Sequence, residues 1–128
     1  YMASFTIKKQ FKVSAKTLYE SLLDSTRHSE MTGGTAECSK KENESFTAWD
    51  GYISGKNLRL IPHQQVMQSW RTTEFDDKDS DSILEIEFNE NKAGCEMIIK
   101  HSHIPDGQSD YKKGWEEHYF EPMTEYFE

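Results

Sequence analysis

The end of the chain carries the longest helical pattern of the sequence, and it follows a series of strand patterns. Over residues 108–128, four aromatic residues and a proline recur at helical spacing, which places them on one helix face: Tyr111, Trp115, Tyr119, Pro122 and Tyr126. Pro122 lacks an amide proton and is expected to kink or divide the helix. The strands before it must bury one face of their sheet, and this helix can cover that face.

The earlier segments predict one short helical region and several antiparallel strands. Residues 5–13 alternate apolar and polar side chains, as a half-buried strand does. Ser14 can cap a short helix after that strand. Residues 24–35 are polar, contain two adjacent glycines, and predict a loop that can hold one turn of helix. Further strand patterns cover residues 36–40, 45–49, 52–61, 64–73, 83–89 and 95–103.

These patterns together predict an α+β fold. A curved antiparallel sheet of about six or seven strands packs against the long C-terminal helix, and one or two short helices follow the first strand. Residues 2–128 show no linker or repeat and are expected to form a single domain. Tyr1 precedes Met2 and is interpreted as a residue left from an expression tag.

The aromatic residues are the strongest candidates for a binding role, although most aromatic side chains simply fill cores. A sheet that curves around a helix can leave a cavity between the two. Tryptophan and tyrosine also dominate the centres of protein interfaces. The sequence leaves core, cavity wall and interface open for these residues. The candidates for the cavity wall are Trp49, Trp70, Phe88, Trp115 and Tyr119.

The charge of the chain restricts its partners. A formal net charge of -8 argues against nucleic acid and against an anionic membrane surface, which both require clustered cations. Basic protein surfaces remain suitable partners. Residues 74–82 are strongly acidic and predict a solvated loop. The candidates for an acidic surface that faces a partner are Asp76, Asp77 and Asp79 of this loop and Glu117 of the last helix.

No motif for catalysis, for a cofactor or for a metal is recognisable. His101, His103 and Cys95 share the parity of one strand, but no further ligand is evident, and both histidines are expected to be exposed. Cys38 and Cys95 are interpreted as free thiols of a reducing compartment, which favours the cytoplasm. No apolar run approaches 18 residues, so a membrane span is not expected. A non-enzymatic role is therefore expected.

Several motifs in order resemble one family. They are FKVSAKTLYESL, DGYISGKNLRLIPHQQVMQSWR with a tight turn at 61–64, the strand LEIEF, and the closing HSHIPDGQSDYKKGWEEHYFEPM. The chain resembles the C-terminal-type domain of the activators of heat-shock protein 90 ATPase. That family lies within the helix-grip (START-like, Bet v-like) superfamily. The resemblance extends over almost the whole chain.

The resemblance implies a co-chaperone that binds heat-shock protein 90 and promotes its ATPase cycle without doing chemistry itself. In the family, an upstream domain grips the middle segment of the chaperone. If Met2 is the true start, stimulation is expected to be weaker than in two-domain relatives. Two alternatives remain: a carrier of a small hydrophobic ligand in the cavity under the C-terminal helix, and, less favoured, an enzyme of the cyclase or dehydratase type found in the superfamily.

Overall fold

The computed structural model of the protein describes residues 2–108 and 110–127. Tyr1, interpreted above as a tag remnant, lies outside the described residues. The described part contains one antiparallel sheet with the spatial order β1-β6-β5-β4-β3-β2. Its strands are β1 (Met2–Phe11), β2 (Ser45–Ala48), β3 (Ile53–Ile61), β4 (Gln65–Thr72), β5 (Ser82–Asn91) and β6 (Gly94–Pro105).

Two short helices connect β1 to β2 on the concave face of the sheet. Helix α1 (Ala15–Leu23) begins after Ser14, whose hydroxyl accepts a hydrogen bond from the amide of Thr17, as predicted. Helix α2 (Ser25–Thr32) occupies the segment that was predicted to be mostly loop. The Asp24 carboxylate caps its first turn, and Gly33 ends it with a left-handed φ of 87°. These end signals outweigh the polar composition of the segment.

The C-terminal helical region consists of α3 (Tyr111–Trp115), a π-helical segment (Glu116–Phe120) and α4 (Glu121–Tyr126). The π turn contains about one residue more than an α turn, so the buried face shifts along the sequence. Met123 is fully buried, whereas Tyr126 is 43% exposed. The prediction that Pro122 and Tyr126 continue the buried stripe is therefore wrong. Pro122 follows the π turn, consistent with the predicted irregularity.

The hydrophobic core lies between the concave face of the sheet and the helices. Strands β4, β5 and β6 alternate buried and partly exposed residues, as the period of two requires. Helix α1 and the C-terminal helical region supply the opposite side. Large apolar side chains that are almost fully buried in this core include Phe11, Leu18, Val66, Leu84, Met97, Ile99 and Met123. These observations confirm the predicted α+β fold with six strands.

The β3 region has the features that its glycine and proline indicated. The amide of Gln64 donates to the carbonyl of Ile61 at 3.0 Å and closes the predicted tight turn. A Cβ at Gly55 would lie 1.8 Å from the backbone oxygen of Ser69, so only glycine fits this close approach. The weak strand predicted at 36–40 is reduced to one bridge between Glu37 and Thr47. Among residues 2–108 and 110–127, no helix has the length and apolar character needed to cross a bilayer.

Candidate functional site

A cavity of about 600 Å³ opens to solvent between the β2–β3 turn, the ends of β3 and β4, and the C-terminal helical region. All three tryptophans of the chain line it. The wall residues from the turn and the sheet are Trp49, Tyr52, Ile53 and Trp70, and those from the helical region are Tyr111, Gly114, Trp115 and Tyr119. Its volume lies within the range typical of small-molecule sites.

The β2–β3 turn presents Trp49 to the cavity in an unusual backbone conformation. Trp49, Asp50 and Gly51 have φ values of 52°, 58° and 89°, a left-handed run that is rare for a bulky residue. The amide of Thr35 donates to the Asp50 carboxylate at 2.9 Å, and this bond holds the turn. Gly34 lies against the indole, because a Cβ there would be 2.5 Å from a ring carbon of Trp49. The turn thus fixes one cavity wall.

The buried side chain of His101 joins the sheet to the helical wall of the cavity. Ser82 donates to the carbonyl of Trp70 at 2.7 Å, so the Nε2–H of His101 donates to the Ser82 hydroxyl at 2.8 Å. The indole N–H of Trp115 then donates to Nδ1 of His101 at 3.4 Å. Burial lowers the pKa of His101 to about 3, so the ring is neutral at physiological pH.

A second buried histidine joins α2 to the same helical wall. A carbonyl oxygen can only accept, so the Nδ1–H of His28 donates to the carbonyl of Leu22 at 2.9 Å. Nε2 then accepts the hydroxyl proton of Tyr119 at 3.0 Å. Cys38 Sγ lies 3.4 Å from Nδ1. Burial lowers the pKa of His28 and raises the pKa of Cys38 to about 11, so neither group is ionised at neutral pH.

The mouth of the cavity is bordered by charged and polar side chains of the helical region. Asp110 caps α3 through the amide of Lys113, and the Lys113 ammonium lies 3.8 Å from the Glu117 carboxylate. The His118 ring packs edge-on against Trp49, with ring centroids 5.5 Å apart. Aromatic walls with a charged entrance suit a molecule with a flat apolar body. No cluster of three or more metal-ligating side chains occurs within the described ranges.

The family model described as Activator of Hsp90 ATPase homolog 1-like protein matches residues 12–128. The chain belongs to this family. Activator of 90 kDa heat shock protein ATPase homolog 1 of Homo sapiens is 23% identical over 123 residues, which cover 95% of the chain and 36% of the human protein. The chain thus spans only about a third of the length of this relative. The family assignment agrees with the sequence resemblance.

Solved structures of other proteins share the fold of this chain. An HSP90 activator from Plasmodium falciparum superposes with a TM-score of 0.83 at 20% identity, covering 92% of the chain and 91% of that protein. Protein MLL2253 from Mesorhizobium loti superposes with a TM-score of 0.80 at 15% identity, covering 96% and 95%. At these identities the likeness establishes the helix-grip architecture.

Four of the five residues predicted for the cavity wall lie there: Trp49, Trp70, Trp115 and Tyr119. The fifth, Phe88, is not among the lining residues. It faces the concave side of the sheet but packs against Tyr19 of α1, with ring centroids 5.9 Å apart. Gly114 and Tyr52 also line the cavity and were not predicted. The signals for them were a glycine inside a helical pattern and a tyrosine directly after a tight turn.

The four predicted acidic residues belong to two different elements of the fold. Asp76, Asp77 and Asp79 are in the β4–β5 loop, whereas Glu117 borders the cavity and is paired with Lys113. The loop is organised around Arg71, which donates to the backbone carbonyls of Asp76 and Asp79. Arg71 also pairs with the Asp81 carboxylate at 2.8 Å. The conformation of the loop is therefore stabilised by the hydrogen bonds and the ion pair of Arg71.

We predict that Arg71→Gln loosens this loop. The change removes an ion pair and weakens the bonds that hold two backbone carbonyls, so the free energy of unfolding should fall by about 1–2 kcal/mol. Hydrogen exchange of the amides in residues 76–81 should become faster, whereas amides of β5 should keep their protection. Lys78→Gln is the matched control, because Lys78 is exposed and makes no side-chain ion pair among the described residues. Unchanged exchange in Arg71→Gln would contradict the role of Arg71.

Of the two strand histidines that were predicted to be exposed, only one is exposed. His103 is exposed, but His101 is 1% exposed, so the prediction for His101 is wrong. His103 has a φ of 60°, and the pairing of β6 with β1 shifts register between Ala3 and Phe5. Because of this irregularity, the side chain of His101 is buried and the side chain of His103 is exposed. Period-two alternation cannot anticipate such a shift.

Proposed function

We propose that the protein binds heat-shock protein 90 and modulates its ATPase cycle. The observation that supports this proposal is the match of residues 12–128 to the family of Hsp90 ATPase activator homologues. Binding would favour the closed state of the chaperone only if the protein has a higher affinity for the closed state than for the open state. Only such a difference in affinity shifts a conformational equilibrium. The protein itself performs no chemistry in this proposal.

The acidic β4–β5 loop is the proposed contact with a basic chaperone surface. Asp77 is exposed, and its carboxylate makes no hydrogen bond or ion pair among the described residues, unlike Asp76 and Asp79, whose carboxylates accept backbone amides. Contacts between exposed charges are screened by salt. We therefore expect the affinity for the chaperone to fall as the salt concentration is raised. Asp77→Lys should weaken binding, and Glu30→Lys, at an exposed position of α2, serves as the control.

The experiment that tests this function is the heat-shock protein 90 ATPase rate with and without the protein, together with a direct binding measurement. We expect a changed rate that saturates with the concentration of the added protein. An unchanged rate with no detectable binding would overturn the proposal. Binding with an unchanged rate would support the interaction and remove the modulating role.

Carriage of a small apolar ligand is the second candidate function, and the cavity of about 600 Å³ favours it. Native mass spectrometry of the purified protein would detect a bound molecule. Thermal denaturation with added aromatic compounds or lipids would detect a stabilising ligand. No bound mass and no shift in melting temperature would exclude this candidate and leave the chaperone proposal intact.

A non-enzymatic role in the cytoplasm is part of the proposal. Burial raises the pKa of Cys38 and of Cys95 to about 11, which disfavours a thiolate nucleophile. Both nitrogens of His28 and of His101 are engaged within the protein, which leaves neither ring free as a general base. Two free cysteines are consistent with a reducing compartment.

A further inference from the structure

Gly114 lies in the wall of the cavity without a local reason to be glycine. It is in the interior of the helical region, and its amide donates to the carbonyl of Asp110 at 3.1 Å. A Cβ built at this position meets no atom within 4 Å, and the backbone is not left-handed. Glycine in a helix is destabilising relative to alanine. Because Gly114 has no side chain, the part of the cavity beside α3 remains open.

The charged groups and aromatic rings around the cavity favour a positively charged ligand. Six of the lining residues carry indole or phenol rings, and the faces of such rings attract cations. The lining contains two carboxylates, Asp110 and Glu117, a single ammonium, Lys113, which is paired with Glu117, and the imidazole of His118, which packs against Trp49. The chain as a whole has a net charge of -8. An anionic ligand would thus meet no unpaired lysine or arginine in the wall.

We infer that the cavity binds a planar aromatic cation, admitted over Gly114, and discriminates against aromatic anions of the same shape. This inference rests on the ligand-binding candidate above and names the chemical class of the ligand. The aromatic walls bury the flat body of the ligand. The carboxylates at the mouth lie beside its positive group, and an anion in the same position would be repelled.

Three probes with one ring system test the charge preference: trimethyl(1-naphthyl)ammonium, 1-naphthol and 1-naphthalenesulfonate. Isothermal titration calorimetry at low salt gives each affinity. The indole N–H resonances of Trp49, Trp70 and Trp115 report whether a probe occupies the cavity, because the chain has no other tryptophan. We expect the cation to bind about threefold more tightly than naphthol and at least about tenfold more tightly than the sulfonate.

Two variants test the position of the ligand. Gly114→Leu places a side chain in the open space, so binding of all three probes should weaken at least about tenfold. Gly114→Ala adds a smaller side chain at the same position, so it should weaken binding less than Gly114→Leu does, while stabilising the helix. Glu117→Gln removes one carboxylate at the mouth and should reduce the advantage of the cation over naphthol by about two- to threefold.

The outcomes separate this inference from the functions proposed above. Equal or tighter binding of the sulfonate would overturn it, and so would unchanged binding in a folded Gly114→Leu protein. Both of these results would leave ligand binding itself intact. If none of the probes binds and the indole resonances do not move, the inference fails, and the ligand-binding candidate is then decided by the native mass spectrometry and thermal denaturation described above. None of these results bears on the ATPase test with heat-shock protein 90.

Discussion

Replacing His101 with alanine is expected to lower the free energy of unfolding by about 4 kcal/mol. The ring is almost fully buried, with centroids 4.5 Å from Trp70 and 5.5 Å from Phe5, so its removal leaves a void. The indole N–H of Trp115 would also lose its acceptor inside the core. Chemical denaturation measured by tryptophan fluorescence gives the change directly.

The matched control for this prediction is His103→Ala, two residues along the same strand. His103 is exposed, and among the residues that the structure describes its Nδ1 contacts only the neighbouring Ser102 hydroxyl, at 3.0 Å. A surface change of this kind should alter stability by less than about 0.5 kcal/mol. If His101→Ala cost no more than His103→Ala, the proposed link between the sheet and the C-terminal helical region would be wrong. The Trp115 indole resonance should move in His101→Ala only.

Acidification from pH 7.5 to 5 is expected to destabilise the protein. In the folded state, burial lowers the pKa of His101 to about 3 and also lowers the pKa of His28. In the unfolded chain, both are expected near the ordinary value of about 6.5. Between these values the unfolded state binds more protons, so the free energy of unfolding falls as the pH falls. The contribution is complete above about pH 6.5.

The expected loss from His101 alone is about 2 kcal/mol between pH 7.5 and 5, and His28 adds to it in the same direction. Denaturation curves across this range measure the slope of stability against pH. His101→Gln should make the slope shallower, even though it also lowers the overall stability. His103→Gln, at an exposed position of the same strand, is the comparison variant. A slope that is the same in all three proteins would contradict the assignment of a neutral, buried His101.

The sequence patterns predicted the strands well and the irregular positions poorly, for a physical reason. Apolar and polar residues alternate along β4 and β5 because every second side chain is buried in the core. The structure has the same alternation of buried and partly exposed side chains. The π-helical segment and the register shift beside His103 depend on tertiary packing. A single inserted residue leaves no periodic signal, because the pattern on each side of it remains regular.

The cavity wall was partly predictable because large aromatic residues marked it. Period-two alternation also placed Phe88 on the concave face, which is correct. It could not give the distance along the strand from the cavity. The amide of Phe88 donates to Gln64 at the proline turn, and its ring packs against α1. The buried role of His28 was missed because helix α2 was expected to be mostly loop.

The π-helical segment makes the chain intolerant of a shortened C-terminal helix. Residues before it contribute to the cavity wall, whereas Phe120 and Phe127 pack beside Phe11 of β1, with centroids 6.2 and 6.4 Å away. Each residue of an α-helix turns the following side chains by about 100°. Deleting one residue from the segment would restore α-helical spacing and rotate Met123 away from the core. Homologues with a one-residue deletion here would need compensating changes in both halves of the helix.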